Sequence, residues 1–256
     1  MIAAILQARL GSSRLEGKIL MDICGKPLLA HVIERVKAAR TLDRVIVATT
    51  TEPDDARLRE FLKKQDVDVF LGQENDVVDR FYQAAKYFES DVIVRITPDD
   101  PFKDPAVIDR AVTLLRGADP PVDYVSNCSY DGSIPATFPE GIDIEVMTFD
   151  CLEKIWNGAD KPSEREHLTP YIFRRPQEFR RLGFRHTEDL SALRWTIDYQ
   201  QDMDFARQIY ARLYPRKPLF LMEDILQLLE QEPELSRMNN GVDRYEGYAR
   251  SVKAEQ

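Results

Sequence analysis

Residues 2–29 read IAAILQARLGSSRLEGKILMDICGKPLL, and they join a short apolar run to a basic loop. The run at residues 2–6 is typical of a strand that is buried on both faces. The loop after it carries three cations, Arg9, Arg14 and Lys18, among glycines and serines. Small residues let a backbone come close to a ligand, and cations beside its N–H groups favour an anion. In a chain whose net charge is −9, such a concentrated basic loop indicates a triphosphate site.

The spacing of the glycines and the lysine in this loop excludes a Walker A motif, which requires G-x-x-x-x-G-K-[ST]. Short motifs are often fortuitous, so a solvated surface loop explains the charge and glycine content equally well. The residues alone leave both interpretations open.

Apolar runs and helical patterns alternate four times in the first half of the chain. The predicted buried strands are residues 2–6, 45–48, 67–71 and 92–96, each followed by an amphipathic helix. The third helix has a good N-cap residue in Asn75 or Asp76. The alternation predicts an α/β fold, with a mostly parallel sheet and helices on both of its faces. Because ligands bind at the carboxyl ends of such strands, the loops after all four strands should converge on one site.

The regular alternation stops near Asp119, where two prolines follow. The predicted elements are then a strand at 122–125, an extended loop or hairpin at 127–141, a strand at 142–146, a helix at 149–156 and a helix from Ser163 that meets Pro170. An antiparallel strand at 179–184, a strand at 193–197 and two helices with apolar positions at 205–213 and 225–229 come next. The polar residues 238–256 are expected to be loosely ordered.

The composition favours a cytoplasmic protein with one large domain. Of the 256 residues, 43% are hydrophobic, which is enough for a proper core, and 31% are charged. The net charge of −9 argues against broad binding of nucleic acid or anionic membranes. Three separate cysteines indicate neither a zinc motif nor a disulfide framework, and they fit a reducing compartment. We find no signal peptide and no apolar run long enough for a membrane span.

Two acidic segments follow predicted strands, RITPDDP at residues 95–101 and RWTIDYQQDMD at residues 194–204. Asp99 and Asp198 each lie where a parallel strand ends, which is where the sheet places ligands. A turn or a helix cap explains Asp99 equally well, and Asp202 fits a charge at a helix N-terminus. Arg95 lies within an apolar strand, so we expect it to neutralise a phosphate or pair with an acid. His31 and His186 have no chemical partners in the sequence and are interpreted as structural.

The segment QARLGSSRLEGK, residues 7–18, followed by GKPLL, residues 25–29, resembles the signature of cytidylyltransferases that make CMP-activated acidic sugars. Within that superfamily it is most similar to the spore coat polysaccharide biosynthesis F type, up to about Asp204. The resemblance implies a Rossmann-like, three-layer αβα sheet of the GT-A-like nucleotide-diphospho-sugar transferase kind. An extended hairpin or small subdomain is expected in the second half. The implied single domain has a nucleotide-binding half at 1–120, an acceptor-binding and dimerisation half at 121–235 and a polar tail at 238–256.

The resemblance also implies a set of site residues and an Mg²⁺ cofactor. The implied CTP-binding residues are Gln7, Ala8, Arg9, Gly11, Ser13, Arg14, Lys18, Asp79, Arg80, Arg95 and Thr97. The implied catalytic residues are Arg14, Lys18, Asp99 and Asp198, of which Asp99 and Asp198 ligate the metal. The implied acceptor-binding residues are Asp143, Glu145, Glu166 and His167.

Three of these assignments have alternatives in the sequence itself. Asp79 and Arg80 fit an ordinary charged helix face as well as a nucleotide pocket. His167 fits a core or capping histidine at least as well as a general base. The chain also departs from the family pattern, with Pro98 where the family usually has Gly and Glu16 where it usually has Pro.

The implied reaction is transfer of CMP from CTP to a sugar or sugar-like acceptor, with release of pyrophosphate, for surface polysaccharide or glycoconjugate synthesis. A GT-A-type glycosyltransferase that uses a nucleotide sugar is one alternative. A non-catalytic nucleotide-binding protein is the other, because of Pro98 and Glu16. The expected partners are CTP, a small acceptor and a second copy of the chain, with neither nucleic acid nor membrane.

Overall fold

The computed structural model describes residues 1–12 and 14–255 of the chain. Its strands are β1 (Ile2–Gln7), β2 (Asp22–Ile23), β3 (Lys26–Pro27), β4 (Arg44–Thr50), β5 (Asp68–Gly72), β6 (Val92–Ile96), β7 (Tyr124–Ser126), β8 (Glu145–Thr148) and β9 (Arg181–Gly183). Its α-helices are α1 (Leu28–Lys37), α2 (Ala56–Leu62), α3 (Val77–Tyr87), α4 (Pro105–Gly117), α5 (Phe149–Gly158), α6 (Pro162–His167), α7 (Pro170–Arg174), α8 (Gln200–Leu213), α9 (Met222–Gln231) and α10 (Glu246–Lys253).

Seven of these strands form one sheet in the order β5-β4-β1-β6-β8-β7-β9. β1 pairs with β4 and β6 in parallel, and β4 pairs with β5 in parallel. β8 runs antiparallel to both of its neighbours, β6 and β7. The mostly parallel α/β fold predicted from the alternation of strands and helices is therefore confirmed.

Helices cover both faces of the sheet because adjacent residues of a strand point to opposite sides. Ala4 and Leu6 of β1 belong to a core that includes residues of α1, α4, α8 and α9. Ala3 and Ile5 belong to a second core, which includes residues of α3, α5 and α7. All four side chains are 0% exposed, as expected for a central strand buried on both faces. The result is the predicted three-layer αβα arrangement.

The first half follows the predicted elements closely. α3 begins after Asp76, whose carboxylate accepts a hydrogen bond from the backbone N–H of Asp79 at 2.8 Å. Asp76 is thus the N-cap, one of the two residues predicted for this role. Pro105 lies in the first turn of α4, where its missing N–H costs no hydrogen bond.

Two strand predictions in the second half were wrong. Residues 193–197 alternate in polarity like a strand but form only one isolated bridge, between Arg194 and Glu140. Their backbone N–H groups bond to loops instead, from Trp195 to Glu140 O at 2.7 Å and from Ile197 to Asp99 O at 2.9 Å. The strand predicted to be antiparallel at 179–184 is β9, and it is parallel to β7. The reason is that β8 runs antiparallel to β7, and the chain then crosses through α5, α6 and α7 before β9.

The C-terminal residues, expected to be loosely ordered, contain the helix α10. This helix packs against α6, and Ser163 of α6 donates its backbone N–H to Glu255 just beyond α10. The predicted strand at 142–146 begins later, at Glu145. Among the helices of residues 1–12 and 14–255, none is both long and apolar enough to cross a membrane.

Candidate active site

The basic loop after β1 lies at the carboxyl end of the sheet, where it lines a cavity of about 330 Å³. Leu10 anchors the loop by donating its backbone N–H to Asp55 at 2.7 Å. Gly17 has a positive φ of 64°, a conformation that favours glycine, and it directs the chain into the turn that starts at Lys18. The loops after β1 and β6 and the start of α3, which follows β5, line the cavity. The loop after β4 does not line the cavity, but its Asp55 supports the basic loop through the hydrogen bond to Leu10.

Lys18 is the buried centre of this site, with a side chain that is 7% exposed. Its Nζ donates to Asp99 Oδ2 at 2.8 Å and to Asp198 Oδ1 at 2.9 Å. It also donates to the carbonyl of Ile197. The three residues are far apart in sequence. Lys18 and Asp99 follow β1 and β6, whose carboxyl ends meet at one edge of the sheet, as predicted. Asp198 does not follow a strand, and the hydrogen bond from Ile197 N–H to the carbonyl of Asp99 holds it there.

A second group of charges surrounds Asp198. Arg14 donates to its Oδ1, and Arg194 donates to its Oδ2 at 3.0 Å. Arg194 also donates to Glu140 at 2.7 Å and to Asp202 at 3.1 Å. The Asp202 carboxylate accepts the backbone N–H groups of Asp198 and Tyr199, each at 2.9 Å. The sequence indicated the helix-terminal role of Asp202, but it did not single out Arg194, which lies inside a segment mistaken for a strand.

The two carboxylates experience different electrostatic environments. Burial raises the pKa of Asp99, despite the opposing charge of Lys18. Burial acts on Asp198 in the same direction, but Lys18, Arg14 and Arg194 together hold its pKa below the usual value. Burial also disfavours the charge on Lys18, but Asp99 and Asp198 outweigh it and raise the pKa of the ammonium. Lys18 is therefore charged at neutral pH, and Asp198 is ionised.

The carboxylate oxygens of Asp99 and Asp198 fit a hard cation such as Mg²⁺. Mg²⁺ prefers oxygen and commonly takes one or two carboxylates plus phosphate oxygens and water. Oxygens of Asp99 and Asp198 already converge on one cationic atom, Lys18 Nζ. In the described part of the chain, no group of three or more His, Cys, Asp or Glu side chains is placed to hold a metal. Phosphate oxygens of a substrate and water would thus fill the remaining coordination positions of a metal held by Asp99 and Asp198.

The two departures from the family pattern leave this geometry intact. Pro98 is not among the described residues with a positive φ, so proline is compatible with the backbone at that position. The carbonyl of the next residue, Asp99, is fixed by the N–H of Ile197 at 2.9 Å. Glu16 is exposed and does not line the cavity.

Most of the predicted nucleotide-binding residues line this cavity. They are Gln7, Ala8, Arg9, Gly11, Arg14, Lys18, Arg80 and Thr97. Ser13 lies outside the described residues. Asp79 does not line the cavity, because its carboxylate accepts hydrogen bonds from Trp156 Nε1 at 2.8 Å and from Gln83 at 3.1 Å. Its position therefore favours a role in joining α3 to α5.

Arg80 lies beneath the cavity with only 2% of its surface exposed. It donates to the carbonyls of Gln73 at 2.8 Å and Glu74 at 3.3 Å, which fixes the loop after β5. Burial lowers the pKa of Arg80 to about 10, so its guanidinium still carries a charge at neutral pH. A Cβ on Gly72 would come within 2.9 Å of the Arg80 side chain, so the glycine makes room for this arginine.

Arg95 is paired with Glu145. The sequence left open whether the partner of Arg95 is a phosphate or an acid. The two residues are neighbours in the register of β6 and β8. Glu145 also accepts a hydrogen bond from Tyr124 Oη at 2.9 Å. Since Arg95 is buried and paired, it stabilises the wall of the site instead of presenting a free cation to a phosphate.

A second cavity, of about 300 Å³, adjoins the first and shares six lining residues with it, namely Gln7, Arg14, Thr97, Asp99, Glu166 and Gly247. Three of the predicted acceptor residues line this second cavity, namely Asp143, Glu166 and His167. The fourth, Glu145, faces a smaller side cavity together with Asp143. The lining also includes Tyr130, Glu140, Arg194, Tyr245 and Tyr248, which the sequence did not single out.

His167 is tied to the C-terminal helix. Its Nε2 lies 2.9 Å from the hydroxyl of Ser251 in α10, and the same hydroxyl donates to Glu166 at 2.7 Å. Burial lowers the pKa of His167 to about 4, so the ring is neutral at pH 7. This environment makes His167 a weak base and favours the alternative structural role.

The chain is similar to known proteins over most of its length. The family model described as cytidylyltransferase matches residues 3–246. The spore coat polysaccharide biosynthesis protein SpsF of Bacillus subtilis is 30% identical over 240 residues, covering 91% of this chain and 95% of that protein. A 3-deoxy-manno-octulosonate cytidylyltransferase of Geotalea uraniireducens is 39% identical over 114 residues, covering 44% of this chain and 45% of that protein.

A solved structure extends the similarity to three dimensions. The structure of a cytidylyltransferase from Leptospira borgpetersenii superimposes with a TM-score of 0.87 at 31% identity, and the match covers 95% of this chain and 99% of that one. The predicted resemblance to cytidylyltransferases is therefore confirmed over nearly the whole length. This chain belongs to the cytidylyltransferase family.

Proposed function

We propose that this protein is an Mg²⁺-dependent cytidylyltransferase that transfers CMP from CTP to a sugar or sugar-like acceptor, in the synthesis of a surface polysaccharide or glycoconjugate. The observation that carries the proposal is the Lys18 ammonium, held between Asp99 and Asp198 where two cavities meet. One cavity is lined by the basic loop and accepts the nucleotide. The other accepts the second substrate.

The basic loop binds the triphosphate, with Arg9, Arg14 and Lys18 as its principal cations. Asp99 and Asp198 would hold Mg²⁺, which would supply Lewis-acid stabilisation of the negative charge on the α-phosphate. Lys18 adds a buried positive charge where negative charge develops during in-line displacement of pyrophosphate. The other contribution of the protein is to orient two substrates side by side, which can lower a barrier by roughly 7–11 kcal/mol.

The acceptor is a small polar molecule because its cavity is lined mainly by charged and tyrosine side chains. The acceptors that the family resemblance suggests are keto-deoxy sugar acids, and the relative from Geotalea uraniireducens is named for one of them. We further propose a homodimer, by analogy with the cytidylyltransferases that the sequence resembles, with residues 127–186 reaching toward the partner. A cytoplasmic location is supported by Cys24, Cys128 and Cys151, which are all free thiols.

Pyrophosphate release from CTP and Mg²⁺ in the presence of a panel of keto-deoxy sugar acids tests the reaction. We expect release that depends on the acceptor, on Mg²⁺ and on CTP, with little from UTP. Transfer of a sugar from a nucleoside-diphosphate sugar, with no release of pyrophosphate, would instead establish a glycosyltransferase. Nucleotide binding without turnover over the whole panel would favour the non-catalytic alternative.

A further inference from the structure

The C-terminal helix α10 lies across the mouths of both cavities. Gly247, Arg250 and Ser251 line the nucleotide cavity, and Gly247 and Tyr248 line the acceptor cavity. Arg250 lies beyond residue 246, where the match to the family model ends. Membership of the family therefore does not predict the contribution of α10 to the site.

Polar and aromatic contacts hold α10 in place, and none of its residues is buried. Ser251 bonds to Glu166 and contacts His167, and the ring of Tyr248 packs against Tyr130 with centroids 4.5 Å apart. Because docking buries little apolar surface, its free energy is small and the helix can move without disturbing the core.

The cations that line the nucleotide cavity differ in how deeply they are buried and how strongly other groups of the protein bind them. Lys18 and Arg80 are buried and bonded to groups of the protein. Arg250 has a side chain that is 51% exposed. Its partners among the described residues are Glu246 in the same helix and Tyr199 Oη at 2.9 Å. An exposed ion pair four residues apart on a helix is weak and readily exchanged for a stronger anion.

Glu246 occupies a position between two arginines that face the nucleotide cavity. Its carboxylate is paired with Arg250 and lies 3.7 Å from Arg14 Nη1. It also accepts a hydrogen bond from Tyr199 Oη at 2.8 Å. The carboxylate thus satisfies the same cations that a phosphate group would satisfy, and a bound triphosphate would compete with it.

We propose that Arg250 is a further triphosphate-binding residue and that α10 closes the nucleotide cavity when CTP binds. The proposal rests on the proposed function, since it takes CTP as the ligand. Before binding, Glu246 is paired with Arg250 and lies 3.7 Å from Arg14, whose hydrogen-bond partner is Asp198. On binding, the triphosphate replaces Glu246 as the partner of Arg250, and the exchange fixes α10 over the nucleotide.

Titration of the full-length protein with Mg²⁺ and CTP, for the variant Arg250→Ala, tests this proposal. Lys253→Ala is the matched control, because Lys253 is an exposed cation of the same helix that lines neither cavity. We expect Arg250→Ala to raise the Kd for CTP about tenfold and Lys253→Ala to change it less than about twofold. Arg250→Lys should recover part of the affinity because it keeps the charge.

Inorganic triphosphate serves as a second probe, since it lacks the base and the ribose. Its ability to compete with CTP should fall in Arg250→Ala by a similar factor. Equal CTP affinities for Arg250→Ala and Lys253→Ala would overturn the proposal while leaving the proposed function untouched. A wild-type protein that binds no CTP would overturn the proposed function and the role of Arg250 together.

Discussion

Replacing Lys18 by methionine is expected to lower kcat/KM for cytidylyl transfer by about 10²–10³-fold, the usual loss when one preorganised stabilising group is removed. The Lys18 side chain is only 7% exposed, and it contacts both of the carboxylates that we propose as metal ligands. In such a water-poor site, a fixed positive charge stabilises developing negative charge far better than it would in water. Methionine is close to lysine in length, so the substitution removes the charge without leaving a large cavity.

The same change also affects the binding of metal. Without the ammonium, Asp99 and Asp198 face each other with no cation between them, which destabilises the folded protein until a cation or proton replaces it. Mg²⁺ should therefore raise the Tm of Lys18→Met more than it raises the Tm of the wild type. The control is Lys26→Met, since Lys26 is 40% exposed and pairs with Glu34 on the surface. An unchanged kcat/KM in Lys18→Met would remove Lys18 from the active site.

The second large effect is expected for Asp198→Asn. Asp198 accepts hydrogen bonds from Lys18, Arg14 and Arg194, and three cations therefore lose their shared anion in this variant. We expect kcat to fall by about 10²–10³-fold, equivalent to roughly 3–4 kcal/mol, because a proposed metal ligand is lost. The Mg²⁺ concentration needed for half-maximal activity should rise at least about tenfold, because a neutral amide binds a hard cation more weakly than a carboxylate.

Asp204→Asn is the control for this experiment. Asp204 lies on the same segment, is 50% exposed and is 3.8 Å from Arg207. It should keep the activity and metal requirement of the wild type. If Asp198→Asn responded to Mg²⁺ as the wild type does, the assignment of Asp198 as a metal ligand would be wrong.

The convergence of Lys18 and Asp99 could be predicted because it follows from a general rule for parallel sheets. Each lies after or near the carboxyl end of an apolar segment, and the fold brings such ends to one edge. Asp198 lies at the same edge for another reason, because residues 193–197 do not form the strand that was predicted there. Their backbone is held instead by Glu140 and by the carbonyl of Asp99, which places Asp198 at the same edge.

The sequence did not predict which distant residues pair with each other. Arg95 and Glu145 are opposite one another only because β8 inserts antiparallel beside β6, a topology that the pattern of apolar residues does not specify. The contribution of α10 was missed for a related reason. Residues 238–256 are polar on average and no residue of α10 is buried, so the composition indicated a loosely ordered tail although the polar and apolar residues of α10 lie on different faces.

Thermal unfolding in the presence of CTP, UTP, GTP, ATP or a nucleoside-diphosphate sugar, each with and without Mg²⁺, tests the proposed Mg²⁺-dependent cytidylyltransferase activity most directly. A ligand that binds only the native state adds RT ln(1 + [L]/Kd), or about 2.7 kcal/mol at 100 times its Kd. For a chain of this size that free energy should raise Tm by about 5–10 °C. Among these ligands, we predict such a rise only for CTP, and only when Mg²⁺ is present. No rise with any nucleotide, or a rise only with nucleoside-diphosphate sugars, would contradict the assignment of this protein as an Mg²⁺-dependent cytidylyltransferase.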